Sequence, residues 1–196
     1  MSRAAQILTG AGLLALALLA RGWLEATPTR HMLVQYPMLI AAGALIAGSL
    51  VQFGAGAWNR GGVASVLTAI FAMAFWMLPR MLDASVAALS ADLLKAASLA
   101  ALIGGGLRLG WPRAHPLLRA VLKAQAISML GILAFLYTHA PGRLCNAYLL
   151  DDQQRLGEMF LLAAIALAAL WIIPLFGFSH PAPKPSAQAS GPPNPH

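Results

Sequence analysis

A single cysteine, Cys145, stands among 196 residues, so no disulfide forms within the chain. Charge is scarce as well. Asp, Glu, Lys and Arg make up 10% of the residues, against about 25% in a soluble domain, and only six residues are acidic. So few charges confine any soluble module to short loops or the tail. Chemistry-bearing signatures are also missing. There is no Ser/His/Asp order, no phosphate loop and no H-E-x-x-H, which points away from an enzyme. No C-x-x-C or H-x-x-x-H spacing marks a sequential metal motif. No internal repeat, heptad array or alternating strand pattern occurs.

What is abundant is apolar sequence. Hydrophobic residues are 59% of the chain, and the mean hydropathy is +0.71. Apolar runs near 4–24, 32–53, 63–82, 84–104, 117–139 and 156–178 are each long enough to cross about 30 Å of hydrocarbon. They predict an all-α, polytopic transmembrane bundle of about six helices over residues 1–178. The fourth run carries Asp92 and Lys95, and Gly104, Gly105 and Gly106 are expected to end it. The small residues Gly43, Ala44, Ala47 and Gly48 predict close helix packing in the second run. The first run resembles a signal peptide, but Arg21 and Trp23 interrupt the position of a cleavage site, so it reads as a retained helix. Residues 179–196 are Pro-rich and polar and read as a disordered tail.

The net charge of +7 fits Lys and Arg in membrane flanks better than nucleic-acid binding. With a cytoplasmic N-terminus, the inner side holds Arg3, Arg60, Arg108, Arg113, Arg119, Lys123 and Lys184. The outer side holds Arg21, Arg30, Arg80, Arg143 and Arg155. The dense cluster at 108–123 favours this orientation, with both termini in the cytoplasm of a multi-pass plasma (inner) membrane protein.

That topology gathers soft and acidic groups at the outer face: His31, Met77, Met81, Asp83, His139, Cys145, Asp151, Asp152 and Met159. Thiolate, thioether and imidazole together suit Cu(I). Met73, Met77 and Met81 fall at i, i+4 and i+8 and share a helix face up to the bend at Pro79, while His31, Gln35 and Met38 share another. The plainer reading has the methionines as core filling, the histidines as helix-end residues and Cys145 as inert. Asp92 and Lys95, at i and i+3, predict either a neutralised structural pair or part of an ion or proton path. Asp151 is expected to N-cap the sixth helix, with Gln154 three residues on. Asp152 and Gln153 exceed what a cap requires.

Three short segments carry a family resemblance. His31-Met32-Leu33 with Pro37-Met38-Leu39, then Trp76-Met77-Leu78-Pro79 with Leu82-Asp83-Ala84, then Asp152-Gln153-Gln154 with Gly157 follow one another in order. Together they resemble the CtaG family, membrane proteins involved in assembling caa-type cytochrome c oxidase. The resemblance implies a helical membrane factor that acts at the copper-delivery step, with an oxidase subunit or copper-donor protein as partner. It carries over to His31, Asp83, Asp152 and Gln153. The chain departs from the family pattern at Gln35 and Tyr36, which stand where the family's second histidine is expected, at Met77, where the histidine after Trp is expected, and at Asp92 and Lys95, in place of a His-rich fourth helix. It also has six apolar runs rather than seven. The resulting expectation is a copper-handling assembly factor, with Cu(I) held by His31, Met77, Met81, His139 and Cys145. Asp83, Asp92, Lys95, Asp151, Asp152 and Gln153 would orient those ligands or dock the partner. The alternatives are a metal-free accessory subunit of a respiratory complex and a small proton-coupled transporter.

Overall fold

The computed structural model of the chain describes residues 2–50 and 59–173. The described residues are helical with no strand, an all-α bundle. The tail at 179–196, the last residues of the expected bundle and part of the second run lie outside them.

Helix α1 spans Arg3–Leu19, and the Ser2 side chain caps it by accepting from Ala5 N at 3.2 Å. A single turn, Arg21–Leu24, then leads to α2, Pro28–Leu50. Thr27 caps α2 by accepting from Arg30 N, and Pro28 takes the first-turn position, where a missing N–H costs nothing. The first part of α2, His31–Gln35, is wound as a π turn. It ends two residues before Pro37, whose ring would crowd the carbonyl four residues back in a regular α-helix.

Helix α3 is Val63–Trp76 and α4 is Pro79–Ala87, with a bend of 73° between them. Pro79 opens α4 with its fixed φ, so the third apolar run does not continue to residue 82 as one helix. The methionines split accordingly: Met73 lies on α3, Met77 at the bend and Met81 on α4. Residues 84–87 belong to α4, and the fourth span, α5, is Leu89–Gly110. Gly104, Gly105 and Gly106 do not end it. They lie in and just after a second π turn, Leu99–Gly105, and the helix runs on to Gly110.

The glycines serve packing instead. A Cβ on Gly43 would overlap the Ala100 carbonyl, and one on Gly104 would overlap the Ile40 carbonyl. The backbones of α2 and α5 therefore touch at this crossing, as the small residues of the second run predict. Helices α6, Pro116–His139, and α7, Leu150–Ile172, form another close pair. There, a Cβ on Gly157 would sit 2.6 Å from Thr138 Cγ2 and 3.0 Å from the Ala134 carbonyl.

Among the described residues, α2, α5, α6 and α7 are long and apolar enough to cross a membrane, and the bent α3–α4 pair would make a fifth span. The apolar helix α1, at 17 residues, is shorter. Leu161, Leu162, Ile165, Ile132 and Phe135 project outward from α6 and α7, as a lipid-facing surface requires. Tyr36, Leu39, Leu82, Leu99, Ile103, Leu156 and Phe160 fill the interior. Chain direction gives the bundle two ends. One carries Arg21–Leu24, the start of α2, α4, the start of α5 and the connection 140–149; the other carries Arg3, residues 59–62 and residues 111–115.

Candidate functional site: a caged ammonium beneath a clamped connection

Lys95 sits in the second turn of α5 with its side chain at 0% exposure. An ammonium has three N–H donors and no acceptor. Here the three hydrogens meet Glu25 Oε1 at 2.8 Å, His31 Nε2 at 2.8 Å and Gln35 Oε1 at 3.1 Å. Asp92 Oδ1, one helical turn away, lies 2.9 Å from the same nitrogen as an ion pair that accepts no hydrogen bond. Asp92 Oδ2 takes Arg21 at 3.1 Å. Two cations therefore face two carboxylates, so the cluster balances its charge internally, as groups inside a span must.

The donors also fix the state of His31, which is fully buried. Because Lys95 can only donate, His31 Nε2 is the acceptor and Nδ1 carries the hydrogen. That hydrogen points to Tyr148 Oη at 2.7 Å, and Tyr148 donates onward to the Glu25 carbonyl at 3.1 Å. Gln35 Nε2 completes the cage by donating to Glu25 Oε1 at 3.2 Å and the Ala17 carbonyl at 3.4 Å. The π turn of α2 carries both His31 and Gln35, and both are buried.

Tyr148 belongs to the connection 140–149, which is pinned from three further directions. Asp83 of α4 accepts from Asn146 N at 3.0 Å, Asn146 Nδ2 at 3.3 Å and Ala147 N at 3.1 Å. Gln153 of α7 accepts from Leu144 N at 2.7 Å and donates to the Tyr137 carbonyl at 3.4 Å. Cys145 is buried with its sulfur 4.0 Å from Tyr137 Oη. Burial pushes the Cys145 thiol up from its ordinary pKa, and the Asp83 charge adds to this against the Tyr137 hydrogen bond. Burial likewise raises the Tyr148 phenol, with Glu25 contributing.

The residues expected to hold copper fall in different surroundings. His139 is exposed at the end of α6, stacks on Phe135 at 4.5 Å and bonds to Thr138 and the Phe135 carbonyl. Met77 and Met81 are half-buried and pack against the core. His31 has both ring nitrogens engaged and Cys145 faces Tyr137. Among the described residues, no group of three or more His, Cys, Asp and Glu side chains is placed to hold a metal ion. At the centre of the cage the cation is the ammonium of Lys95.

Asp92 and Lys95 do pair, as their spacing predicts, but within a larger cage. Asp151 does not cap α7. The N-cap is Leu149, with no side-chain cap, and Asp151 and Asp152 lie in the first turn, where they meet only the helix dipole. Sequence reading missed Glu25, Arg21 and Tyr148 as members of the cage. One signal for Glu25 was available: it is one of six acids in the chain and stands between two apolar runs.

Comparisons with family models, with curated proteins and with solved structures found no match. The CtaG resemblance therefore rests on the three short motifs alone.

Proposed function

We propose that this chain is a CtaG-type assembly factor for a respiratory heme-copper oxidase, and that it works by presenting the connection 140–149 to a partner. The observation that carries this reading is a convergence. His31, Asp83 and Gln153 come one from each of the three motif segments, and all three bond the same ten-residue connection, through Tyr148, through Asn146 with Ala147, and through Leu144. Motif residues far apart in sequence thus serve one purpose, holding a polar lip at one end of an apolar bundle. In this reading the lip faces outward from a bacterial plasma membrane, both termini are cytoplasmic, and the partner is an oxidase subunit or a copper-donor protein. In this reading copper stays with the partner, since both ring nitrogens of His31 are engaged within the cage and His139 bonds its own helix.

The test is affinity purification of the tagged chain from its own membranes, wild type against Asp83→Ala, with the captured oxidase subunits and copper both measured. The docking reading expects transient capture of immature oxidase by wild type, loss of that capture in Asp83→Ala, and no stoichiometric copper on the purified chain after Cu(I) loading. One copper per chain, lost when His31→Ala is combined with Cys145→Ser, would replace docking with direct copper handling. A fixed one-to-one presence in the mature oxidase would make the chain an accessory subunit instead.

A further inference from the structure

The two ends of the bundle differ in charge more sharply than a flank bias requires. All six acidic residues, Glu25, Asp83, Asp92, Asp151, Asp152 and Glu158, lie in or next to the end that carries the connection 140–149. The opposite end has Arg3, Arg60, Arg108, Arg113, Arg119 and Lys123 and, among the described residues, no carboxylate side chain. At this basic end a cavity of about 490 Å³ opens between the start of α6 and the last turn of α7. Trp111, Arg119, Lys123, Ile127 and Trp171 are among its lining residues.

Arg119 and Lys123 are one turn apart and share a face of α6. Helical side chains lean toward the helix N-terminus, so both lean from the span toward the membrane surface at this end. Long cationic side chains reach the headgroup level in this way. Lys123 is half-buried, two turns inside an apolar helix, and its ammonium lies 5.3 Å from the centre of the Trp171 ring. A ring face offsets only part of the cost of a cation there. The Lys95 ammonium lies among Glu25 and Asp92, whereas the end that holds Lys123 has, among the described residues, no carboxylate side chain. A ligand anion would supply what this end lacks among the described residues. A cavity with two cations, flanked by Trp111 just past the end of α5 and Trp171 in the last turn of α7, with Ile127 further into the span, fits a phosphodiester with its acyl chains directed inward.

We infer that this cavity is a binding site for the headgroup of an anionic phospholipid, with Arg119 and Lys123 on the phosphate and Trp111 and Trp171 against the glycerol and upper acyl chain. The site is distinct from the caged ammonium and does not depend on the oxidase reading.

The experiment is native mass spectrometry of the full chain released from nanodiscs of equal parts phosphatidylglycerol and phosphatidylcholine. Wild type is expected to retain one phosphatidylglycerol per chain with at least tenfold preference. R119Q/K123Q is expected to lose that preference, while R60Q, which removes a cation from the same end, keeps it. Equal retention of the two lipids by wild type, or an unchanged preference in R119Q/K123Q, would overturn the assignment. A second measurement needs no variant: phosphatidylglycerol added to detergent-purified wild type should raise its Tm, and phosphatidylcholine or inorganic phosphate at the same concentration should not. An equal rise with phosphatidylcholine, or a rise with phosphate alone, would refute a lipid headgroup site.

Discussion

Replacing Lys95 with methionine keeps most of the unbranched side chain and removes its terminal charge and three hydrogens. Four partners at 2.8–3.1 Å lose their common cation: Glu25, His31, Gln35 and Asp92. Breaking one partner out of a buried ion pair costs about 3–5 kcal/mol, because the remaining charge is left uncompensated. Asp92 retains Arg21, whose side chain is 38% exposed, so water reaches part of the cluster and the lower part of that range applies. A loss of about 3 kcal/mol in a chain of this size corresponds to a Tm lower by roughly 6–12 °C. The assay is thermal unfolding of the detergent-purified protein, followed by the loss of its monodisperse chromatographic peak. K95M combined with D92N should recover part of the loss, since the two changes remove opposite charges in contact. The coupling should be about 1–3 kcal/mol. A Tm within 2 °C of wild type for K95M, or strict additivity in the double variant, would refute the cage as the element that organises this end of the bundle.

Three further outcomes are expected. Asp83→Ala strips the acceptor from three donors in the connection, at a cost of about 1–2 kcal/mol for half-exposed charged hydrogen bonds, and amide exchange at Asn146 and Ala147 should rise while the α2–α5 crossing stays protected. Cys145, buried and with its thiol pushed up by that burial, should react slowly with a maleimide at neutral pH in wild type and much faster in Asp83→Ala; rapid labelling of native wild type would show the connection to be open. Gly104→Val drives a branched side chain into the Ile40 backbone, so α2 and α5 must separate, and the cost should reach or exceed the 1–3 kcal/mol typical of overpacking; a folded peak at wild-type Tm would contradict the close crossing.

How much of this was legible in the chain depends on the range of the signal. Apolar length and small-residue spacing are local, so the helices and the Gly43 crossing could be read directly. Pro79 announced a bend, and its size, large enough to make α4 a separate helix, came from how α4 packs. The three glycines at 104–106 misled because in a soluble helix they signal an end. In a membrane, a backbone with no water to bond stays helical, and glycine lets a neighbour approach instead. Asp151 looked like a cap because its spacing to Gln154 is right, yet the helix began one residue earlier, at Leu150.

The sequence by itself determined the helical membrane class and the pairing of Asp92 with Lys95, and it singled out His31, Asp83 and Gln153, because each follows from composition, helical spacing or a short motif. Only the tertiary structure decided what those residues do. It brought Glu25, His31, Gln35 and Asp92 from three separate segments around one ammonium, and it left His139 on the outside and Met77 and Met81 in the core. The physical reason is that an ion in a span takes whichever opposite charges and acceptors the packing supplies. Packing joins residues 25, 31, 92 and 148 across sequence separations that carry no periodic signal.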